Sequence, residues 1–501
     1  MTASAPPTST TDPALTPARV RSILVILVAA TFVVILNETI MVNAIPRLMA
    51  HFEVTARDAQ WLSTAFMLSM AVVIPVTGWF LQRVTTRAAF AVAMGLFLLG
   101  TALATAAWSF PVLLVARIVQ ASGTAVMMPL LMTTLLTIVA VEHRGKVMGN
   151  VTLAMAVAPA LGPAVSGLIL QLGSWRLIFA VTLPIAAAML AVGLRMLVNV
   201  GEPRRSSIDV LSIVLSALGF GVLVYGLSQI GADDTDAGVL PPAVLIPLGV
   251  AFVALFVWRQ LVLQRSGSPL LDLRTLRHRT FVIALAVMCV SFMAMMGAMI
   301  TLPLYLQNVH GYGVLATGLM MMPGGIAMGL MGPVVGSLFD RHGARPLVIP
   351  GAAVLLAVMI GLSRIAADTP AWWVVTLHVA MSLGLAFLFT PLFTIGLSAV
   401  PPPLYSHGSA VLGTLQQVAA AAGTAVAVTI MSTRAAALGK AGVDPVGALA
   451  GGIQWGFAFG AAISAVVLVL TFFVPGRSAN AGHGPVDAES HAVAPPADAV
   501  V

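Results

Sequence analysis

The chain has 501 residues, 59% of them hydrophobic and only 8% charged, where a soluble domain carries about 25% charged residues; so little charge cannot cover a water-exposed surface, which excludes a soluble globular protein. A net charge of +7 would suit a nucleic-acid partner, but the basic residues stand singly between apolar runs without interleaved aromatics, so no nucleic acid is expected. The one cysteine, Cys289, lies inside an apolar run, which leaves no disulfide framework and no thiolate metal cluster to draw.

In chain order, residues 1–18 are Ser/Thr/Pro-rich and residues 476–501 are Ala/Gly/Pro/His-rich without periodicity; both are expected to be disordered tails. Between them, apolar runs of about 20 residues, the length that crosses a bilayer, predict fourteen membrane helices. They lie near 22–46, 60–81, 88–107, 111–137, 147–171, 176–198, 209–230, 242–262, 280–305, 314–339, 347–366, 371–398, 408–432 and 453–474. The first run is too long for a signal-peptide core and is not followed by a small-residue cleavage site, so it reads as an uncleaved span. With the N-terminus inside, most arginines and lysines, Arg83, Arg87, Arg144, Lys146, Arg274 and Arg277 among them, fall in cytoplasmic connections, as retention of positive loops requires. An even number of spans then puts both termini in the cytoplasm. The Ala-, Val- and Arg-rich composition with two lysines suggests a GC-rich bacterial genome and hence the cell membrane.

A repeat fixes the architecture. Pro75-Val76-Thr77-Gly78 running to Arg83 and Arg87 matches Pro333-Val334-Val335-Gly336 running to Arg341 and Arg345 at a constant offset of 258 residues. These are the ends of the predicted second and tenth spans, so the chain reads as six helices, two inserted helices and six helices again, the parallel-repeat plan of two bundles flanking a midplane site. The expected units are an N-terminal six-helix bundle over 19–200, two inserted helices over 201–270 and a C-terminal six-helix bundle over 271–475.

The segment Gly336-x-x-x-Asp340-Arg341-x-Gly343-x-Arg345 resembles the loop signature of the major facilitator superfamily. Leu36-Asn37-Glu38-Thr39-Ile40 before Pro46, Trp61, Arg117-Ile118-Val119-Gln120-Ala121-Ser122-Gly123, Gly162-Pro163 with Gly167, Trp175-Arg176 before Pro184, and His407-Gly408-Ser409-Ala410 are similar to the fourteen-span drug:proton antiporters. Within that group the exporters associated with lincomycin resistance are the most similar. The resemblance spans about 20–475 and implies an all-α integral membrane protein of the major facilitator fold. It implies a transporter, not an enzyme, exporting small amphiphilic or cationic drugs against protons, with membrane lipid around it and a monomeric state.

Glu38 is the acid that falls well inside a predicted span. An ionised carboxylate at bilayer depth costs about 2.5 to 3.5 kcal/mol, so it is held protonated, paired or facing water and is a functional candidate by default. It is either the proton carrier or a structural carboxylate bound to a buried donor. In the antiporters that the chain resembles, the coupling acid of the first span stands one position earlier, where this sequence has Asn37; one position turns a side chain by about 100°. Arg117 is the cation within a span, and the resemblance implies a role in proton transfer or in holding the bundle. Polar positions at Asn37, Gln120, Gln307, Gln416 and Gln417, with Met293, Met295, Met296, Met299 and Met320 to Met322 as adaptable apolar neighbours, are candidates for a substrate pocket or for plain helix packing.

Pro159, Gly162, Pro163 and Gly167 in the fifth span predict either a hinge or close small-residue packing. Arg83, Asp340, Arg341 and Arg345 are gating candidates. The first loop copy has Gln82 in place of the acid and Thr85 in place of glycine, so its latch is expected to be weaker; the second is expected to act by charge pairing and by contact with a neighbouring helix end. The sequence has no phosphate loop, no paired-carboxylate motif and no Cys/His ligand spacing, so no cofactor or metal is expected and a proton gradient is left as the driving force. An exporter of an endogenous lipid, siderophore or antibiotic is the alternative on the same scaffold.

Overall fold

The computed structural model describes residues 16–42, 44–200, 208–230, 240–266 and 269–476; both expected tails lie almost wholly outside the described residues. Within these residues the chain is all-helical, with fourteen helices long and apolar enough to cross a membrane. The first spanning helix, α1 (Pro17–Val42), begins within the expected tail and stops short of the predicted end. A short amphipathic helix follows it, α2 (Ile45–Phe52), opened by Pro46 in its first turn and closed by Glu53 in a left-handed conformation (φ 53°). That helix has no counterpart in the sequence reading, which ended its first span near residue 46 and left the residues up to 60 as a connection.

The remaining N-terminal spans are α3 (Ala56–Arg83), α4 (Thr86–Thr105), α5 (Phe110–Ile138), α6 (Arg144–Gln171) and α7 (Arg176–Met196). The inserted pair is α8 (Val210–Ser228) and α9 (Pro242–Ser266); the last six are α10 (Arg279–Asn308), α11 (Val314–His342), α12 (Arg345–Leu362), α13 (Ala371–Ser398), α14 (Tyr405–Lys440) and α15 (Pro445–Thr471). Helix α4 packs on α5 and α7, and α1 on α5, α6 and α7; in the second half α10 packs on α14 and α15, and α12 on α13 and α15.

Lipid offers no hydrophobic drive for helices to associate, so close approach of small residues does the packing. The seam between α6 and α11 shows this along its whole length. A Cβ on Gly149 would stand 2.3 Å from the Gly332 carbonyl oxygen, one on Gly325 would stand 2.3 Å from Cβ of Ala160, and one on Gly318 would stand 2.6 Å from Cβ of Pro163. The two helices run antiparallel and join the first half of the chain to the second. A second seam joins α3 to α14, where Gly78 faces His407 and Gly413 faces Ile74.

The inserted pair is pinned by polar contacts. Asp209 caps α8 and takes Arg259 on both carboxylate oxygens at 3.1 and 3.2 Å; Gln260 donates to Ser212 at 2.7 Å and accepts the Leu270 and Leu271 N–H groups at 2.8 and 3.1 Å. Tyr225 of α8 stacks on Trp61 of α3 with 5.5 Å between ring centroids.

The two loop copies turn differently for a local reason. Gly343 adopts φ 82°, a left-handed conformation that glycine takes without steric cost, and so ends α11 and lets α12 begin after a two-residue turn. Thr85, in the matching place, is extended at φ −68° and caps α4 by accepting the Ala88 N–H at 3.3 Å.

Candidate functional site

Helix α1 ends four residues beyond Glu38, so the acid lies one turn from a helix end, about 6 Å by the 1.5 Å rise; the longer predicted span had placed it nearer the middle. Arg117 lies two turns from the start of α5, at the same face of the membrane because α1 leaves and α5 enters there. Glu38 is half-buried and Arg117 is 1% exposed. The two groups lie close enough to interact electrostatically, yet no ion pair joins them among the described residues. The guanidinium instead lies 4.1 Å from the Phe66 ring centroid and donates from Nη1 to Gln120 Oε1 at 2.6 Å. Gln120 passes the connection to α4, donating to Thr101 Oγ at 2.9 Å. Arg117 Nε has no hydrogen-bond partner. The result is a cation fixed on one side by an aromatic face and an amide, with an unengaged carboxyl across from it.

The five pocket candidates do not converge. Asn37 is 1% exposed and its amide donates to Thr182 of α7 at 3.3 Å; Gln120 is fully buried on Arg117 and Thr101. Both turn to partners inside the first half, as a polar side chain in a span seeks one on the next helix, although Asn37 Oδ1 is left without a partner. Gln307 lies half-buried near the end of α10. Gln416 and Gln417 lie half-buried on α14, between Gly413 at the α3 seam and Gly423 against Met293 of α10, and Gln416 Nε2 has no partner.

Helix α6 is continuous through Pro159 and Pro163. A Cβ on Gly162 would meet Thr39 Oγ at 2.6 Å, and Ser166 donates to the Ile40 carbonyl at 2.9 Å, so α6 packs against the turn of α1 that carries Glu38. Gly167 faces Leu315 and Pro163 faces Gly318, both of α11. Gly162, Pro163 and Gly167 thus sit where α6 is clamped between α1 and α11, with Pro159 about a turn earlier on the same helix.

At the opposite face the gating candidates divide. Asp340 accepts the N–H groups of Gly145 and Lys146 at 2.8 Å each, holding the first turn of α6, where free N–H groups and the helix dipole favour a carboxylate. Arg83 lies 5.4 Å from the Trp79 ring centroid, while Arg341 and Arg345 are exposed. Gln82, in the first loop copy, donates from Nε2 to the Pro403 carbonyl at 2.7 Å.

Sequence reasoning counted Arg144 as a topology marker only. Its side chain is 6% exposed and donates to the Leu136 and Val139 carbonyls at 2.6 and 3.1 Å and, in the second half, to Ser398 Oγ and Tyr405 OH at 3.1 and 3.3 Å. A basic residue in a short loop carries no sequence signal that separates this role from charge retention. His407, 3% exposed, faces Gly78 and lies in the field of Asp272, itself 2% exposed. Burial pushes the Asp272 carboxyl up, but the hydrogen bonds from Arg274 outweigh it and leave the group below the ordinary carboxylate range.

A family model described as Major Facilitator Superfamily matches residues 27–424, and the chain belongs to that superfamily; it is a multi-pass membrane transporter, not an enzyme. It is 38% identical to the lincomycin resistance protein LmrB of Listeria monocytogenes, over 89% of this chain and 94% of that protein. It is also 38% identical to the MFS-type transporter YcnB of Bacillus subtilis, over 90% and 94%, and 28% identical to a multidrug resistance protein B homolog of Mycobacterium tuberculosis, over 80% and 74%. Among solved structures, the human organic anion transporter MFSD10 matches with a TM-score of 0.64 at 14% identity, covering 90% of this chain and 99% of that one. The proton:xylose symporter XylE matches with a TM-score of 0.62 at 14% identity, covering 92% and 98%. Both share the fold.

Proposed function

We propose that the protein exports amphiphilic or cationic drugs in exchange for protons, by alternating access, with both termini in the cytoplasm. Glu38 is the coupling acid. The observation that carries this reading is the geometry around it: a half-buried carboxyl on α1, within the field of a fully buried Arg117 that is anchored elsewhere and does not close an ion pair with it. Such an acid is free to take up and release a proton, and Arg117 sets the balance between its two forms. The names of the relatives, which speak of lincomycin and multidrug resistance, support a drug as cargo. Gln416 and Gln417 on α14, about two turns before Gly423 where the helix meets Met293, offer with it the mixture of polar and adaptable apolar groups that an unselective pocket wants. Each proton entering across 100 mV supplies about 2.3 kcal/mol, enough to hold a tens-fold drug gradient.

On this reading the α6–α11 seam with Asp340, the Gln82–Pro403 contact and the Arg144 cluster hold the cytoplasmic side closed and must part when the transporter turns inward. The test is energised efflux of a fluorescent cationic dye and of lincomycin from a pump-deficient bacterial host, with wild type, Glu38→Gln and a protonophore. Efflux by wild type that both treatments abolish at equal membrane expression supports the reading. Normal efflux by Glu38→Gln overturns Glu38 as coupling acid, and failure of wild type to move either compound favours export of an endogenous lipid, siderophore or antibiotic.

A further inference from the structure

The molecule has a groove of about 560 Å³ away from the transport path, lined by His342, Arg345, Pro346, Ile349, Pro350 and Gly476. It forms because α11 and α12, although joined by a two-residue turn, lean on different neighbours: α11 on α6 and α13, α12 on α13 and α15. The chain after α15 returns to close one wall, where the buried Ala344 donates its N–H to the Gly476 carbonyl at 2.9 Å. The floor is apolar, from Pro346, Ile349 and Pro350, and the rim is basic.

That rim has no internal counter-charge. His342 and Arg345 are exposed, as is Arg341 next in sequence outside the lining; the His342 ring nitrogen meets only the Leu338 carbonyl of its own helix, and neither arginine has a hydrogen bond or ion pair among the described residues. The nearby carboxylate, Asp340, is turned the other way and engaged by Gly145 and Lys146. The groove opens at the end of one spanning helix and the start of the next, which is the depth of the lipid headgroups. Basic pockets between spanning helices at that depth suit anionic headgroups, and an apolar floor suits the acyl chain beneath.

We infer that this groove holds one anionic phospholipid, its phosphate between Arg345 and His342 and one acyl chain along Pro346, Ile349 and Pro350. The inference does not depend on the drug-export reading, because the groove is remote from Glu38 and its occupant is not cargo.

The experiment is lipid retention by the full-length protein in detergent micelles doped with phosphatidylglycerol or phosphatidylcholine, read by native mass spectrometry and by thermal unfolding. The expected result is one phosphatidylglycerol kept per chain at detergent levels that strip phosphatidylcholine, with a raised unfolding temperature. Arg345→Gln should lower that retention about fivefold, the loss of one juxtamembrane charge, and His342→Gln with Arg345→Gln further. The control Arg364→Gln, exposed at the other end of α12, should behave as wild type. Variants of the rim are surface changes; Ile349→Trp, which fills the groove and leaves every charge in place, tests the acyl chain separately and should also lose the lipid. Equal retention of both lipids, full retention by Arg345→Gln, or the same stabilisation from inorganic phosphate alone would overturn the assignment.

Discussion

Asp340 of α11 takes two N–H groups from the first turn of α6, Gly145 on one carboxylate oxygen and Lys146 on the other, each at 2.8 Å. The contact crosses between the two halves of the chain, so on the proposed function its strength bears on which side stands open. In Asp340→Asn one oxygen becomes an amide donor that meets an N–H head on. The loss of a charge-assisted bond, about 1.5 kcal/mol or more, corresponds to roughly a tenfold shift toward the state open at this face. Distance measurements between labels on α6 and α11 should broaden toward longer values; an unchanged distribution would show that the contact does not govern the equilibrium.

Gly149 tests the same seam without charge. Its added Cβ would lie 2.3 Å from a backbone oxygen of Gly332, and backbone cannot step aside as a flexible side chain does. Gly149→Ala should cost about 1–3 kcal/mol of the closed arrangement and mimic Asp340→Asn in label distances. If it instead behaves as wild type, the two helices are less tightly held than their geometry implies.

Arg144 serves four acceptors from two halves. Lysine keeps the charge but has no planar fork and at most three donors. Arg144→Lys should therefore lower thermal stability by about 2–3 kcal/mol, although the positive charge that sets topology is kept. Wild-type stability in this variant would reduce Arg144 to a topology marker after all.

Gln120 touches neither Glu38 nor any cavity, so its effect on transport should run through Arg117. Gln120→Leu removes the acceptor 2.6 Å from Arg117 Nη1 and frees the cation to approach Glu38. The pH at which dye efflux is half-maximal should then fall, since a nearer positive charge favours the ionised carboxylate, while drug binding stays unchanged. A loss of expression with no shift in the pH profile of what remains would make Gln120 a packing residue only.

Asp209 lies outside the spans, and the hydrogen bonds from Arg259 hold its carboxyl below the ordinary carboxylate range. A depressed acid stabilises the fold above its unfolded pKa, about 3.9, and loses that contribution as pH falls through its folded value. The stability of wild type relative to Asp209→Asn should be constant near neutral pH, at about 1 kcal/mol for a partly exposed pair, begin to fall below about pH 4, and vanish only once pH has passed below the folded pKa. A difference that persists in acid would mean the charge is not its source.

Much of the fold is legible in the sequence because lipid imposes one long apolar period on every span and because the Pro75 and Pro333 segments repeat. The short helix α2 is not, since Ile45 and Pro46 continue the apolar run of α1 while Glu53 ends the helix only through a left-handed turn. At the site, the sequence singles out Glu38 and Arg117 by charge alone. It cannot say that Asn37 turns to Thr182 or that Gln120 turns to Arg117, because a polar residue in a span looks the same whether it faces a neighbouring helix or an open cavity. The roles of Arg144 and of the Gly145 N–H group depend on residues nearly 200 or more positions away, and no local pattern marks them.

The two matching loop segments make opposite bonds: Asp340 accepts from a helix start, whereas Gln82 donates to a carbonyl ahead of one. The amide of one copy and the acid of the other give the two contacts different chemistry. Acid or a cation can unfasten the first of these contacts and leaves the second untouched. On the proposed function the two edges would answer to different conditions, acid loosening the α6–α11 edge while the α3–α14 edge stays as it was.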